Sequence, residues 1–311
     1  MIVCYAFIGP LPNYIQDTVF QTRLFFDGDI YLIADDLQSP YIPWIVKKYG
    51  VIVVPYRDVE SREFREVEET HRRKFTLVRG LKGREKLFIY SFERFFLLQN
   101  LMRARDIQDV LFLELDNLIY DDPRKWLPAF STHDLAYMCD NVDRFASGIM
   151  YVKSAASLQG LLHTMLHYIA TSREFLNEMS ALAIYYKQQQ QSGGSVQVLP
   201  TFYADPTGRL PRDMIAHFEK YNETIFDSSA LGIYLLGKDP FHTGGVIQKY
   251  LRWDHNPLDY TKEKVAWHVH DDGKRKPFVW NPIRETWVLV NNLHVHSKNT
   301  REALSCDEIR P

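Results

Sequence analysis

Short apolar runs alternate with stretches of helical periodicity along the first part of the chain. Four runs have the length and aliphatic character of buried strands, at residues 2–8, 30–34, 51–55 and 110–114. The segments between them have the periodicity of helices, most clearly where aromatic and apolar residues between positions 88 and 102 mark one helical face. Strands that alternate with helices are typical of a parallel sheet. The pattern therefore predicts an α/β fold with a mixed, mainly parallel central sheet flanked by helices.

The pattern changes after residue 196. Two further helices are predicted over residues 154–170 and 174–191, and short strands and turns with many histidines follow. These later strands, at residues 265–270, 276–280 and 287–290, predict a β-rich C-terminal portion. The chain contains no internal repeat and no long linker, so a single domain over residues 1–311 is expected.

Composition narrows the possible partners. The 311 residues are 46% hydrophobic, which is ample for a core, and the net charge of −2 with a pI near 6.6 gives no overall basic field for nucleic acid. Nucleic acid is therefore not the expected partner.

The cysteine spacing and the N-terminal sequence indicate a reducing compartment. The three cysteines, Cys4, Cys139 and Cys306, have no CxxC spacing, which argues against a disulfide framework and a cysteine-rich zinc site. Residues 1–7 lack the basic start of a signal peptide, and no apolar stretch is long enough to span a bilayer. We expect a cytoplasmic protein, in the host cytoplasm if the chain is viral.

Two carboxylates, Glu114 and Asp116, end the apolar run at 110–114. Residues two apart on a strand face the same way, so both can reach one cation. Strand-end carboxylates also cap turns, and that structural interpretation stays open. The central, apolar character of the strand favours a ligand site, because open α/β sheets bind ligands at the carboxyl ends of their strands. One or two carboxylates with phosphate oxygens and water suit Mg²⁺ or Mn²⁺.

A second constellation lies near the end of the chain, where His294, His296 and Lys298 alternate. Imidazoles two apart on a strand share a face, and a nearby ammonium can neutralise a diphosphate. His268 and His270 form a competing pair of the same spacing. Lys298 favours the later pair, because an ammonium beside the imidazoles suits a diphosphate.

These motifs together resemble a GT-A-fold nucleotide-sugar glycosyltransferase, which carries an acidic DxD-type motif at the end of a central strand. Residues 114–117 read Glu-Leu-Asp-Asn, an ExDN variant, and the order of motifs is similar to the retaining, glycogenin-like branch and to a group of viral and microbial transferases. Residues 147–150, 177–178 and 294–298 carry the rest of the likeness. The first acidic residue is Glu, and the Gly-x-x-Lys-Pro-Trp ending of that branch is missing, so retention or inversion stays open.

The resemblance implies a Rossmann-like GT-A domain with a nucleotide-binding half over residues 1–120 and an acceptor-binding half over residues 121–311. It also implies that Gly9 and the Asp35 end of the second strand lie near the base and ribose, although a turn with a capping Asp explains these residues equally well. Arg94 is expected to reach the donor sugar or phosphate, to pair with Glu93, or to extend its charged head group to solvent. Since the second acidic residue of the family motif usually contacts the metal most directly, the resemblance favours Asp116 over Glu114 as the metal ligand, and His296 over His294.

Two carboxylates are candidates for the chemistry at the acceptor or the anomeric carbon. Asp227 precedes a predicted helix that it could instead cap, and Glu178 lies in an apolar helix where it could instead face water. Glycosyl transfer needs such a group as a base or at the donor face.

The sequence thus predicts a metal-dependent glycosyltransferase that uses Mn²⁺, or else Mg²⁺, to move a sugar from a nucleotide diphosphate donor, expected to be a UDP-sugar, to a carbohydrate hydroxyl. A nucleotidyltransferase and a non-catalytic sugar- or nucleotide-binding protein on the same fold remain as alternatives. The first of these would normally show a Gly-rich phosphate loop after the first strand, which residues 9–12 do not supply.

Overall fold

A computed structural model describes residues 1–75, 86–173, 176–204, 217–237, 260 and 263–307. Seven strands form the central sheet, and a further strand, β5, lies outside it. In chain order these strands are β1 (Ile2–Phe7), β2 (Ile30–Ala34), β3 (Ile52–Pro55), β4 (Val110–Leu113), β5 (Asn117–Ile119), β6 (Leu135–Asn141), β7 (Arg144–Val152) and β8 (Val196–Leu199).

The central sheet has the order β3-β2-β1-β4-β7-β6-β8. Strands β1 to β4 run parallel, β7 runs antiparallel to both β4 and β6, and β8 is parallel to β6. The carboxyl ends of β1, β2 and β4 therefore meet at one edge of the sheet. Every residue of β4 is buried, as expected for an apolar strand covered on both faces.

Helices cover both faces of the sheet. Their bounds are α1 (Ile15–Phe25), α2 (Tyr41–Tyr49), α3 (Arg62–Phe75), α4 (Leu87–Arg105), α5 (Leu127–Phe130), α6 (Gln159–Thr171), α7 (Glu178–Ser192) and α8 (Ala230–Leu236). One core lies between the sheet and α3, α4, α6 and α7, and the other lies beneath α1, α2 and α5. The aromatic face predicted between positions 88 and 102 belongs to α4, where Phe92, Phe95 and Phe96 are buried.

The C-terminal portion is built from short strands, as predicted, and the structure shows that they pair antiparallel. Strands β9 (Val265–Val269), β10 (Arg275–Asn281) and β11 (Thr286–Leu289) form a three-stranded sheet, and β12 (Asn292–His294) pairs with β5. A third apolar cluster joins these strands to α8. The prediction of a mixed, mainly parallel α/β fold with a β-rich C-terminal portion is confirmed.

Within the described ranges, none of the helices combines the length and the apolar character that crossing a bilayer requires.

Candidate metal centre

The two carboxylates predicted at the end of β4 lie in a tight turn between β4 and β5. The Glu114 backbone N–H donates to the Gly148 carbonyl of β7 at 3.0 Å, and the Asn117 N–H donates to the Glu114 carbonyl at 3.0 Å. The turn is thereby fixed to the neighbouring strand. It lies at the edge where β1, β2 and β4 end, so Glu114 and Asp116 occupy the expected ligand-binding edge of the sheet.

Pairing of β5 with β12 brings the C-terminal histidines to this turn. His294 lies opposite Asn117 in the antiparallel register. The Val295 N–H then donates to the Asp116 carbonyl at 2.7 Å. Two segments far apart in sequence therefore meet through backbone hydrogen bonds, and the two halves of the predicted site come together.

His294 faces both carboxylates. Its Nε2 lies 3.2 Å from Glu114 Oε2 and 3.4 Å from Asp116 Oδ2, while its Nδ1 lies 3.1 Å from the Ser228 carbonyl. Because a carbonyl only accepts, Nδ1 carries a proton, and this arrangement aims Nε2 at the carboxylates. One atom from each of these three side chains lies within 4.8 Å of the others. Two carboxylate oxygens and an imidazole nitrogen are a suitable donor set for a divalent cation.

The charges in this cluster shift its pKa values strongly. Burial disfavours the imidazolium, but Asp116 and Glu114 outweigh burial and raise the pKa of His294 well above its usual range. Burial likewise opposes the charged form of Asp116, yet Lys298 and His294 lower the pKa of Asp116 well below its usual range. A cation bound here would replace the His294 proton, because only a deprotonated nitrogen can ligate.

His296, which the sequence favoured over His294, does not face both carboxylates in the same way. Strand β12 ends at His294, and the chain then turns, with the His296 N–H donating to the His294 carbonyl at 3.0 Å. Among the described residues, His294 is the member of the pair that forms the triad with Glu114 and Asp116. The His296 ring instead packs on the His294 ring, with centroids 4.2 Å apart.

His296 still borders the site. Burial, with the charge of His294, lowers the pKa of His296 to about 3, so its imidazole is neutral. Its Nε2 and the Asn117 amide nitrogen are buried and have no hydrogen-bond partner within the described residues. Buried polar atoms are normally paired, so two orphaned atoms beside the triad indicate a polar ligand or water at this place. The residues present fit a metal-bound polar ligand.

Lys298 supplies a cation to the same cluster. Its Nζ donates to Asp116 Oδ2, the oxygen that also faces His294. The Lys298 backbone is in the left-handed region, with φ of 62°, and its N–H donates to the Val295 carbonyl at 3.0 Å. A tight turn therefore directs this side chain at Asp116.

Arg94 links Glu114 to Glu178. One of its guanidinium nitrogens forms an ion pair with Glu114, and the other donates to Ser147 Oγ at 2.9 Å and lies 3.7 Å from Glu178 Oε1. The second Glu178 oxygen accepts from the Ser91 hydroxyl at 2.8 Å. Arg94 therefore pairs with Glu114 and Glu178, whereas the sequence left its pairing with Glu93 open.

The pKa of Glu114 reflects this pairing. Burial opposes the carboxylate, but the charge of Arg94 and the hydrogen bond from His294 outweigh burial and hold the pKa of Glu114 at about 2. Glu114 is therefore ionised and held in one orientation at neutral pH.

Asp227 lies behind the triad and is fully enclosed by backbone donors. Its Oδ1 accepts from the Leu231 N–H at 3.0 Å, and its Oδ2 accepts from the N–H groups of Gly232 at 2.8 Å and His294 at 3.0 Å. The side chain thus caps α8 and anchors β12. It is 2% exposed, and burial raises the pKa of Asp227 despite these hydrogen bonds.

Close approach of neighbouring atoms explains two glycines beside the triad, Gly148 and Gly232. A Cβ on Gly148 would lie 2.5 Å from the Asn117 amide nitrogen and 3.2 Å from His294 Nδ1, and a Cβ on Gly232 would overlap the His294 carbonyl. Asn292 was missed from the sequence, although its amide donates to Asn117 Oδ1 at 2.7 Å. The signal available in the sequence was an asparagine directly after Asp116 and two consecutive asparagines shortly before His294.

The residues predicted to lie near the nucleotide come together at the same edge of the sheet. The Gly9 N–H, after β1, donates to Asp35 Oδ1 at 2.7 Å, and the Leu11 N–H donates to Asp36 Oδ2 at 3.1 Å. Asp35 is exposed, and Gly9 has a φ of 110°, which favours glycine. These contacts join the loops after β1 and β2.

Comparison with solved structures finds matches among glycosyltransferases. A crystal structure of mouse xyloside xylosyltransferase 1 shares 12% identity over 63% of this chain and 84% of that chain, with a TM-score of 0.45. The galactosyltransferase LgtC, in complex with donor and acceptor sugar analogues, shares 14% over 65% and 74%, with a TM-score of 0.38.

A third match is the glycosyltransferase GlyE of Streptococcus pneumoniae, at 13% identity and a TM-score of 0.40, over 64% of this chain and 45% of that chain. No protein-family model and no curated protein matches the chain. Identities and TM-scores of this size mark a distant likeness, and the function proposed below rests on the site.

Proposed function

We propose that this chain is a metal-dependent glycosyltransferase that moves a sugar from a nucleotide diphosphate donor, a UDP-sugar, to a carbohydrate hydroxyl. One observation carries the proposal: Glu114, Asp116 and His294 converge within 4.8 Å at the ligand-binding edge of the sheet. The Lys298 ammonium donates to Asp116 Oδ2, the oxygen that also faces His294. A divalent-cation site beside an ammonium suits a leaving diphosphate, which carries charge on several oxygens.

The donor set suggests which metal is used. Mg²⁺ prefers oxygen ligands, so the imidazole nitrogen of His294 favours Mn²⁺, with Mg²⁺ next. When bound, the metal acts as a Lewis acid for the leaving diphosphate. Glu114, Asp116 and His294 hold it, and the neutral His296 imidazole borders the same space.

The chain's own cations and carboxylates divide the remaining work. Lys298 stabilises the negative charge that develops on the leaving phosphate. Arg94 holds Glu114 in place and contacts the donor side of the site, and Glu178, one guanidinium away, is the candidate group at the reacting carbon or hydroxyl. Asp227 accepts three backbone hydrogen bonds, which supports a positioning role for it. Its bond from the His294 N–H fixes where His294 lies in the site.

The nucleotide lies over the N-terminal half in this proposal. The joined loops after β1 and β2, which carry Gly9 and Asp35, lie at the edge where the diphosphate site is, and they suit contacts to base and ribose. Residues 1–120 then serve the donor and residues 121–311 the acceptor, within one domain.

The proposal is tested by measuring UDP release from a panel of UDP-sugars with Mn²⁺, with and without carbohydrate acceptors. We expect turnover that EDTA abolishes and that Asp116→Asn lowers by roughly a hundredfold or more, because the variant loses a charged ligand at the leaving group. Asp271→Asn, an exposed aspartate on the β9–β10 turn, is the matched control and should retain full activity.

Each result distinguishes the alternatives. Turnover that persists in EDTA or in Asp116→Asn would remove the metal-dependent mechanism. Mn²⁺-dependent thermal stabilisation by UDP-sugars without any turnover would instead identify a non-catalytic nucleotide-sugar-binding protein. Stabilisation by a nucleoside triphosphate, with release of pyrophosphate, would identify a nucleotidyltransferase.

A further inference from the structure

The ammonium of Lys298 contacts the same Asp116 oxygen that faces His294 in the proposed metal site. Asp116 Oδ2 accepts from Lys298 Nζ and also lies 3.4 Å from His294 Nε2. The Asp116 side chain is 9% exposed and that of Lys298 is 27% exposed. The nearly buried Asp116 carboxylate is therefore already paired with the ammonium of Lys298, on the oxygen that faces His294.

The backbone holds this contact in place. Lys298 has a φ of 62°, a left-handed conformation that costs free energy for any residue with a Cβ. Its N–H donates to the Val295 carbonyl, and the Val295 N–H donates to the Asp116 carbonyl. The same short segment is thus bonded to Asp116 by main chain and by side chain. The main chain of this segment therefore keeps Lys298 beside Asp116.

An ammonium and a divalent cation repel each other strongly at one buried carboxylate, because the local dielectric constant is low. Metal binding therefore requires Lys298 to leave Asp116 Oδ2. Lysine is a flexible point charge with three donors, and its displaced ammonium needs another anion. The diphosphate of the nucleotide is the anion that the proposed donor brings to this place.

We propose that Lys298 competes with the divalent cation for Asp116, and that a nucleoside diphosphate relieves this competition by accepting the ammonium. This inference rests on the metal site proposed above and adds its regulation. Free metal then binds weakly to the protein alone, and metal and nucleotide bind cooperatively. Because coupling between two ligands is reciprocal, the metal also tightens nucleotide binding by the same factor.

The test is a titration of Mn²⁺ into the full chain, followed by calorimetry or by the electron paramagnetic resonance signal of free Mn²⁺, with and without UDP. Lys298→Met keeps an unbranched apolar stem and removes the charge, and Lys298→Gln is the second neutral variant. Lys298→Arg keeps the charge. Lys264→Met, at an exposed lysine on the edge of β9, is the control for loss of one positive charge elsewhere.

We expect both neutral variants to bind Mn²⁺ alone at least fivefold tighter than the wild type, within the range of roughly 5- to 150-fold that is typical of coupled sites. Lys298→Arg and Lys264→Met should stay within about twofold of the wild type. UDP should tighten Mn²⁺ binding more in the wild type than in Lys298→Met, because only the wild type has an ammonium to release.

The outcomes separate this inference from the proposed function. If Mn²⁺ binds and Asp116→Asn abolishes binding, but the neutral variants bind no tighter than the wild type, the competition is overturned and the metal site stands. If wild type and variants bind no Mn²⁺ with or without UDP, the proposed metal site fails and the competition with it.

Discussion

Replacing Glu114 by glutamine removes one buried charge while keeping the shape of the side chain, so its effect on stability depends on pH. In the folded protein the pKa of Glu114 falls from an ordinary 4.5 to about 2. This difference corresponds to about 3 kcal/mol of folding free energy when the carboxylate is ionised in both states. Burial alone would raise the pKa, so the stabilisation comes from Arg94 and His294.

The sign of the pH dependence follows from the direction of the shift. A folded-state pKa below the unfolded value stabilises the protein above pH 4.5, and this contribution is lost as pH falls from 4.5 towards 2. Glutamine resembles the protonated acid at every pH. The free energy of unfolding should therefore differ between wild type and Glu114→Gln by about 3 kcal/mol near pH 7, and the difference should shrink towards zero near pH 2.

Urea unfolding followed by tryptophan fluorescence measures this difference, in EDTA and at steps between pH 7 and pH 3. Glu66→Gln is the control, because Glu66 is exposed and its ion pair with Arg62 is expected to contribute less than about 1 kcal/mol. A Glu114→Gln deficit that stays constant from pH 7 to pH 3 would refute the assignment of the lowered pKa to Glu114.

Two further perturbations probe the packing and the ligands of the site. The new Cβ of Gly148→Ala meets side chains, so this variant should lose about 1–3 kcal/mol of stability. Gly232→Ala should lose more, because its Cβ meets the His294 backbone, which cannot move aside as easily. Thermal unfolding of both variants checks which one is less stable. His294→Ala should weaken Mn²⁺ binding by roughly tenfold or more, and His296→Ala should weaken it less, because His294 is the one grouped with both carboxylates. Calorimetric titration of Mn²⁺ checks this, and an equal loss of affinity in both variants would contradict it.

Local signals in the sequence were sufficient for the strand that carries the carboxylates. The run that ends at Glu114 is apolar throughout, and a fully buried strand flanked by charged residues leaves few alternatives. The helix α4 was equally clear, because aromatic and apolar residues recur at helical spacing between positions 88 and 102. In both cases the pattern depends only on neighbouring residues and extends over enough positions to identify the element.

The choice between the two histidines could not be made in this way. Strand alternation places His294 and His296 on the same side of the chain, where their rings do pack together, but it does not say which ring faces both carboxylates. The structure ends β12 at His294, where the next residues form the turn that carries Lys298. A turn of three residues leaves little trace in hydrophobic periodicity, so the exit point of a short strand is not readable from the pattern.

The supporting contacts of the site were beyond prediction for a different reason. Asp227 reads as a helix cap from its neighbours, and it does cap α8, yet its bond to the His294 N–H joins residues 67 apart. Asn292 reaches Asn117 across 175 residues. Such contacts depend on which strands pair, and strand pairing is a global property of the chain.

The pairing of β5 with β12 also has a consequence for the order of assembly. Bringing segments 175 residues apart into contact has an entropic cost that grows with the logarithm of the intervening length, on the order of 4–5 kcal/mol for a loop of this size. The parallel strands β1 to β4 all lie within the first 113 residues, so they can pair before the C-terminal strands exist. A chain still emerging from the ribosome would therefore display both carboxylates long before it had the imidazole that completes the triad, and the site matures only when the last strand docks.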